Sequence, residues 1–162
     1  MPSAILALNA GSSSIKFALA EVAAPPETAP VRRTLSGIIE GIGLAPHLIA
    51  HDGQGNTLVE RRWPTDRQPT YDALLDALLS WLETHLGDNV LAAVGHRVVH
   101  GGRDFIAPVR VTEKILQSLE VLTPLAPLHQ PHNLAPIRTL LALRPNLPQV
   151  ACFDTAFHHT QP

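Results

Sequence analysis

The sequence lacks the features that mark several common classes of protein. It has a single cysteine, Cys152, so it cannot form an internal disulfide and is not a disulfide-stabilised secreted domain. No apolar run approaches the ~18 residues that a membrane-spanning helix needs. No Lys or Arg precedes the short apolar run at the N-terminus, whereas a signal peptide begins with positive charge. These absences predict a cytoplasmic location and no membrane association.

An excess of charge of either sign is also lacking. The 12 Lys and Arg residues are nearly balanced by 14 Asp and Glu, which gives a formal net charge of −2. Proteins that bind nucleic acid usually carry a clear excess of basic residues, so we expect no nucleic-acid partner. What the sequence does have is 45% hydrophobic residues in a length of 162, which suits the core of one domain or of one lobe of a larger protein.

The apolar patterning predicts both strands and helices, and therefore an α/β fold. Leucines recur at three- and four-residue spacing within 70–86, where Thr70 can cap a helix and Gly87 can end it. A proline-rich stretch at 23–30 predicts a loop, because clustered prolines block both helices and strand ladders. In chain order, the predicted strands are 4–8, 15–21, 32–40, 48–52, 58–62, 90–99 and 149–153, and the predicted helices are 70–86, 112–122 and 133–143.

This order of elements matches a ribonuclease-H-like lobe, in which three antiparallel strands precede two parallel strands separated by helices. Right-handed crossovers make the first strand parallel to the last two. Ligands bind beyond the carboxyl ends of such strands. A polar residue lies at each of these three ends: Asn9, Arg97 and Asp154. We therefore expect these residues, far apart in the sequence, to meet at one edge of the sheet.

The loop after the first strand is rich in groups that bind phosphate. The segment Asn9-Ala-Gly-Ser-Ser-Ser-Ile-Lys16 offers an amide, three hydroxyls and an ammonium, and Gly11 allows close approach of the backbone. It is not a Walker-type loop, because the G-x-x-x-x-G-K-[ST] pattern and the following helix are both missing. The apolar run that follows predicts a second strand. The pattern therefore predicts a β-hairpin that holds phosphate and a hard metal ion.

Two further polar residues lie at the ends of apolar strands. Arg97, within Gly95-His-Arg-Val-Val-His-Gly-Gly102, can make a forked contact with a carboxylate or phosphate, or can pair with a structural Asp. Asp154 follows the last strand and can hold Mg²⁺ through its carboxylate, or can close an Asx turn. The position of Asp154 directly after a strand favours the metal role.

The remaining candidates are histidines and the cysteine. His129 lies in a proline-bracketed segment, where a fixed imidazole can donate to a developing phosphoryl charge or can merely bond the backbone at a helix start. A zinc site formed by His129 and His132 is not favoured, because no third ligand has suitable spacing. His96 and His100 fit packing or hydrogen bonding better than catalysis. Cys152 is interpreted as a buried packing residue.

Four motifs, in this order, resemble the acetate kinase family of acetate and propionate kinases. They are Asn9-Ala-Gly-Ser-Ser-Ser-Ile-Lys16, Gly95-His-Arg-Val-Val-His-Gly-Gly102, Leu125-Ala-Pro-Leu-His129 and Phe153-Asp-Thr-Ala-Phe-His158, so the resemblance spans nearly the whole chain. That family belongs to the actin-like, sugar-kinase-like ATPase superfamily and has two related lobes with the active site between them. The resemblance implies that residues 1–162 form the N-terminal lobe, with the C-terminal nucleotide-binding lobe absent from this chain.

The resemblance also implies a role for each matching residue. Arg97 would bind the acyl substrate and stabilise the phosphoryl group in transfer, and His129 would hydrogen-bond that group. Gln130 departs from the family pattern, in which Asn commonly follows the histidine. The implied residues are, for catalysis, Arg97, His129 and Asp154; for the phosphates of the nucleotide, Ser12, Ser14 and Lys16; for Mg²⁺, Asn9 and Asp154; and for the pocket of the acyl methyl group, Val99 and Leu128.

The implied activity is that of an ATP-dependent phosphotransferase with a carboxylate acceptor. It would transfer a phosphoryl group reversibly from ATP to acetate, giving ADP and acetyl phosphate, with Mg²⁺ as cofactor. Propionate kinase is the close alternative, and a lobe that binds phosphate or a partner without catalysis is another. The resemblance further implies a homodimer formed through the missing C-terminal lobe.

Overall fold

The computed structural model describes residues 3–23 and 30–158, so most of the predicted proline-rich loop lies outside the described residues. Within them, eight strands form one sheet. The seven strands predicted from the sequence are all present, each within two residues of its predicted bounds. The strands are β1 Ser3–Ala10, β2 Ile15–Val22, β3 Val31–Glu40, β4 His47–Asp52, β5 Thr57–Arg62, β6 Val90–Val98, β7 Val109–Arg110 and β8 Gln149–Phe153.

The strand order across the sheet is β5-β4-β3-β2-β1-β6-β8-β7. The first five strands pair antiparallel with their neighbours in sequence. In contrast, β6 runs parallel to both β1 and β8. This confirms the predicted ribonuclease-H-like arrangement, and it brings the carboxyl ends of β1, β6 and β8 to the same edge of the sheet.

Three α-helices lie in the described part of the chain: α1 Tyr71–Glu83, between β5 and β6, and α2 Glu113–Glu120 and α3 Gln130–Leu143, between β7 and β8. The Thr70 hydroxyl accepts a hydrogen bond from the Ala73 amide and so caps α1 as predicted. α1 ends three residues before its predicted end at 86, because the chain turns at Thr84, whose amide and hydroxyl both donate to the Trp81 carbonyl. α3 begins three residues before its predicted start, with a proline in its first turn, where no intrahelical amide is needed.

The hydrophobic core lies on one face of the sheet. Alternate residues of each strand face it, as in β1, where Leu8 is buried while Ala7 is exposed and Asn9 is half-buried. One part of the core joins α1 to the first four strands, and the other joins α2 and α3 to β6 and β8. Val94 and Val98 belong to different parts but share one face of β6, so the three helices cover the same face. The opposite face is not covered by any helix in the described part of the chain.

The two edges of the sheet differ in length and charge. The strand β7, which the sequence analysis missed, is a two-residue strand that pairs antiparallel with β8. Two residues are too few to show a periodic pattern. At the other edge, β5 carries three exposed charged residues, Glu60, Arg61 and Arg62.

None of the helices within 3–23 and 30–158 is long and apolar enough to cross a membrane.

Candidate active site

The three polar strand ends meet as predicted at the carboxyl edge of the parallel strands. Asn9 and Arg97 each directly follow a residue of the last register pair between β1 and β6, Leu8 and His96. Arg97 reaches Asp154 just beyond β8. Its Nε lies 3.0 Å from both carboxylate oxygens, and its Nη2 lies 2.7 Å from Oδ2. Residues from three separate parts of the sequence are thus brought to one edge.

The contact with Asp154 fixes the charge and direction of the arginine. Hydrogen bonds from the guanidinium, and the negative charge of the carboxylate, raise the pKa of Arg97 above its usual value. Both side chains stay partly exposed, so solvent screens the pair and its contribution to stability is small. The pairing of Arg97 with an Asp, one of the two alternatives left open by the sequence, is therefore present, and it lies at the edge where ligands are expected.

A groove of about 690 Å³ lies on the sheet face that no described helix covers. Asn9, Lys16 and Arg97 line it near the carboxyl edge, and Arg33 and His51 line it further along. Among the described residues that line the groove there is no Asp or Glu. Its lining therefore carries three positive charges, those of Lys16, Arg33 and the Asp154-paired Arg97, and suits an anionic ligand.

The cysteine lies in this groove and is not buried. Within β8, Ala151 and Phe153 face the helices, so Cys152 between them points to the opposite face and is exposed. It is the register partner of Arg97 on β6. The interpretation of Cys152 as a packing residue is therefore wrong, and the almost uniformly apolar sequence of β8, whose polar Gln149 is itself buried, gives no signal of the exposed side.

The predicted phosphate loop is the turn of a β-hairpin, which confirms the structural part of that prediction. β1 and β2 pair up to Ala10 and Ile15, and the Gly11 amide closes the turn by donating to the Ser14 carbonyl at 2.9 Å. Ser12 is exposed and Ser14 is half-buried. A Cβ at Gly11 would contact only the Ser14 hydroxyl, at 3.9 Å, so no described residue requires glycine there. The outer side of this turn is open to a ligand.

Lys16 follows the turn and lies directly across the hairpin from Asn9. The two residues are register partners between β1 and β2, and the Lys16 side chain is exposed. Since neighbouring strands lie ~4.8 Å apart, Lys16, Asn9 and Arg97 form a row about 10 Å long across three strands. A chain of phosphates could contact all three.

The other predicted residues lie at or near the start of α3. His129 is exposed, and its imidazole makes no capping bond to the helix within the described residues, so the backbone-bonding alternative is not supported. Val99 is half-buried, whereas Leu128 is 78% exposed. Neither lines the groove. Within the described residues, the structure does not bring these two side chains into an apolar pocket.

Two buried carboxamides in the first turn of α3 were missed by the sequence analysis. Asn133 accepts from the Val99 amide at 2.9 Å and donates to the Ala10 carbonyl at 2.8 Å. Gln130 accepts from the His100 amide at 3.3 Å and donates to the His100 carbonyl at 3.0 Å. The sequence carries only a weak indication of these bonds, because the helix was predicted to begin at Asn133 and Gln130 was therefore placed outside it. The first turn of α3 is thereby bonded to the last residue of β1 and to the segment that follows β6.

His96 is a buried packing histidine, as the sequence favoured. Its side chain is 1% exposed, and its Nε2 lies 2.7 Å from the Oε1 of Gln149. Because the Gln149 amide donates to the Ile137 carbonyl, Oε1 is the acceptor and Nε2 carries the proton. The Nδ1 atom is buried without a hydrogen-bond partner. Burial lowers the pKa of His96 to about 4, so the ring is neutral near pH 7.

Metal ligands at this edge are few but chemically suitable for Mg²⁺. No group of three or more His, Cys, Asp and Glu within the described ranges is placed to hold a metal ion. Mg²⁺, however, usually takes one or two carboxylates and fills its other positions with water and substrate phosphates. Asp154 offers a partly exposed carboxylate, although Arg97 contacts both of its oxygens. These oxygen donors fit an ion shared with phosphates, but not one held by the protein alone.

Comparison with known proteins identifies the family. The model of the acetokinase family matches residues 4–162. Acetate kinase from Rhodopseudomonas palustris is 44% identical over 162 residues, covering all of this chain and 40% of that protein. Acetate kinase from Deinococcus radiodurans is 44% identical over 159 residues, covering 97% of this chain and 37% of that protein. The chain thus spans about two fifths of the length of these relatives and corresponds to their N-terminal portion.

Solved structures agree with this result. A propionate kinase from Francisella tularensis superposes with a TM-score of 0.81 and 35% identity, covering 99% of this chain and 39% of that one. An acetate kinase from Porphyromonas gingivalis gives a TM-score of 0.80 and 34% identity, with the same coverage. The predicted actin-like ATPase fold is confirmed by these neighbours. By its sequence, its fold and the residues at its sheet edge, this chain belongs to the acetokinase family.

Proposed function

We propose that this chain is the N-terminal lobe of an acetate kinase, and that the complete protein transfers a phosphoryl group reversibly from ATP to acetate. The products are ADP and acetyl phosphate. The observation that carries this proposal is the meeting of Asn9, Lys16, Arg97 and Asp154 at one sheet edge, in a chain of this family. Neither the residues nor the family membership alone would support so specific a reaction.

The positive charge of the groove matches the needs of this reaction. Acetate is ionised at neutral pH, so it needs no general base before it attacks the terminal phosphate. Its difficulty is the approach of one anion to another, which cations and hydrogen-bond donors must offset while they hold the groups in line. Lys16 and Arg97 supply cations at either side of Asn9, and the hydroxyls of Ser12 and Ser14 supply donors at the hairpin turn.

Arg97 would act on the substrate while it stays in contact with Asp154. Its hydrogen bonds to the carboxylate use Nε and Nη2. The Nη1 donors then serve an oxygen of acetate or of the phosphoryl group in transfer. Asp154 orients the guanidinium and also offers oxygen ligands to Mg²⁺, together with Asn9. When bound, Mg²⁺ would neutralise phosphate charge. His129, exposed at the start of α3, would donate a further hydrogen bond to the transferred group.

The site requires walls that the described residues do not provide. Leu128 is largely exposed and Val99 is only half-buried, so the pocket for the acyl methyl group is not closed here. Because the chain spans about two fifths of its relatives, we assign the missing walls and the adenosine site to a second, C-terminal lobe. We also assign the dimer contact to that lobe, so that the complete protein is a homodimer and this chain alone is a monomer in light scattering.

The test is a hydroxylamine trap for acetyl phosphate, run on this chain and on the complete product of its gene. We expect activity that depends on ATP, acetate and Mg²⁺ in the complete protein and little or none in the isolated lobe. A complete protein that forms no acyl phosphate from either acetate or propionate would contradict the proposal and favour a lobe that binds phosphate without catalysis.

Propionate kinase is a second candidate, because a propionate kinase is among the structures that this chain resembles. One additional methylene changes binding by only ~1–3 kcal/mol in an apolar pocket, so both acids are expected to react. The ratio of kcat/KM for acetate to kcat/KM for propionate decides between them. We expect a ratio above one, and a ratio below one would assign the protein as a propionate kinase.

A further inference from the structure

The buried side chain of Asn133 joins the two strands that carry the predicted phosphate loop and Arg97. The register between β1 and β6 ends at Leu8 and His96. Beyond it, Asn133 accepts from the Val99 amide and donates to the Ala10 carbonyl, at 2.9 and 2.8 Å. A side-chain amide thus replaces the strand ladder at the point where the two strands reach the ligand edge.

The position of these bonds couples them closely to the site. Ala10 is the last residue of β1 and immediately precedes the hairpin turn that begins at Gly11. Val99 follows the end of β6, two residues after Arg97. Asn133 is 5% exposed, so a lost bond would leave a buried polar group unpaired and would favour a local shift of the backbone. Such a shift would change the distance between the loop and the guanidinium.

The same residue also ties His129 to this edge. The backbone amide of Asn133 donates to the His129 carbonyl at 3.0 Å, the ordinary helical bond that places the two residues one turn apart at the start of α3. The two side-chain bonds of Asn133 therefore hold the start of α3, and with it His129, against the ends of the strands that carry the hairpin turn and Arg97.

We propose that Asn133 is a positioning residue for phosphoryl transfer, which holds the phosphate loop, Arg97 and His129 in their working arrangement without contacting the substrate. This rests on the function proposed above. Phosphoryl transfer depends on alignment, and a misplacement of about 1 Å can cost roughly 100-fold in rate. We therefore expect Asn133→Leu to lower kcat by about that factor, with a much smaller effect on KM for ATP.

Gln149 provides a matched control. Its carboxamide is as deeply buried, at 2% exposed, and also makes two hydrogen bonds, to His96 and to the Ile137 carbonyl. It lies at the start of β8, at the opposite end of that strand from Asp154. Gln149→Leu therefore removes a comparable buried amide away from the ligand edge. Its loss of thermal stability should match that of Asn133→Leu, while its kcat should stay within about threefold of the wild type.

A second variant guards against misfolding. Asn133→Asp has nearly the same shape and keeps the acceptor for the Val99 amide, but the introduced carboxylate cannot donate to the Ala10 carbonyl. Once protonated, the introduced carboxyl group can donate again, so we expect kcat of this variant, relative to the wild type at the same pH, to recover as the pH falls. A purely structural role would give no such recovery.

The experiment measures kcat, KM and melting temperature for the complete protein and its three variants, together with amide hydrogen exchange of residues 11–16 and Val99. Support requires lower kcat and faster exchange in these segments for Asn133→Leu, but not for Gln149→Leu. Equal kcat in the two Leu variants at equal stability would overturn the positioning role. If the wild type makes no acyl phosphate, the proposed function fails, and hydrogen exchange alone tests the role of Asn133. Faster exchange in Asn133→Leu that is confined to residues 11–16 and Val99 supports its role in placing the loop. Exchange that is equally fast in both Leu variants overturns that role.

Discussion

The buried imidazole of His96 makes the stability of this fold depend on pH. In the folded state burial lowers the pKa of His96 to about 4, whereas an unfolded chain restores the ordinary value of 6.5. Between these two pH values the unfolded state binds more protons, so the free energy of unfolding increases with pH. The contribution of the neutral His96 ring to the free energy of unfolding is complete above about pH 6.5 and is lost as the pH falls towards 4.

The size of the effect follows from the two pKa values. Their difference of about 2.5 corresponds to about 3 kcal/mol, with a slope of about 1.4 kcal/mol per pH unit within the window. This is a large share of the ~5–15 kcal/mol that stabilises a typical domain. A His96→Gln variant keeps a donor for Gln149 but cannot titrate. Between pH 7 and pH 4, we expect the free energy of unfolding of the wild type to fall by about 3 kcal/mol more than that of His96→Gln.

Urea unfolding at several pH values between 7 and 4, followed by fluorescence of Trp63 and Trp81, measures this difference. All other titrating groups are shared by the two proteins, so they cancel in the comparison. Gln149→Leu is the control, because it removes the hydrogen-bond partner and keeps the ring, and its pH dependence should persist. Parallel stability curves for wild type and His96→Gln would refute the assignment of a buried, neutral histidine.

Four further predictions concern single residues. In the complete protein, Arg97→Ala should lower kcat by roughly two to four orders of magnitude, the range for losing a transition-state cation, and an effect below tenfold on both kcat and KM would contradict its role. Asp154→Asn should raise the Mg²⁺ concentration needed for half-maximal activity far more than KM for ATP, so unchanged Mg²⁺ titrations would contradict metal binding there. In this chain, Cys152 should react with Ellman's reagent without denaturant and more slowly when pyrophosphate is present, whereas reaction only after unfolding would contradict its exposure. Thr70→Ala should lower the free energy of unfolding by about 1 kcal/mol in urea titration, through loss of the helix cap, and no change would show that the cap bond contributes nothing.

Most of the fold could be predicted because strong local patterns and general topology rules agreed. The leucines of α1 repeat with a helical period, and right-handed crossovers leave few arrangements for the parallel strands. The start of α3 was placed too late because Gln130 and its neighbours are polar and include prolines, so they carry no apolar period. Their helical state depends on buried bonds to distant segments, such as those of Gln130 with His100.

The candidate site was predictable only at the level of strand ends. Asn9, Arg97 and Asp154 could be placed together because each lies at the carboxyl end of a strand in one parallel set. The side on which Cys152 lies was not predicted, because parallel strands are usually covered on both faces and β8 is covered on one in the described residues. The bonds of Asn133 depend on how α3 is rotated against the sheet, which no local pattern encodes.

The unequal outer strands also bear on self-association. A long, flat, apolar outer strand would be a template on which a second molecule could add its own strand and begin a fibre. Here one outer strand, Val109–Arg110, offers only two residues, and the other, Thr57–Arg62, ends in three consecutive exposed charged residues, whose charges would lose water if another strand were added there. Strand addition is therefore opposed at both outer strands of this sheet.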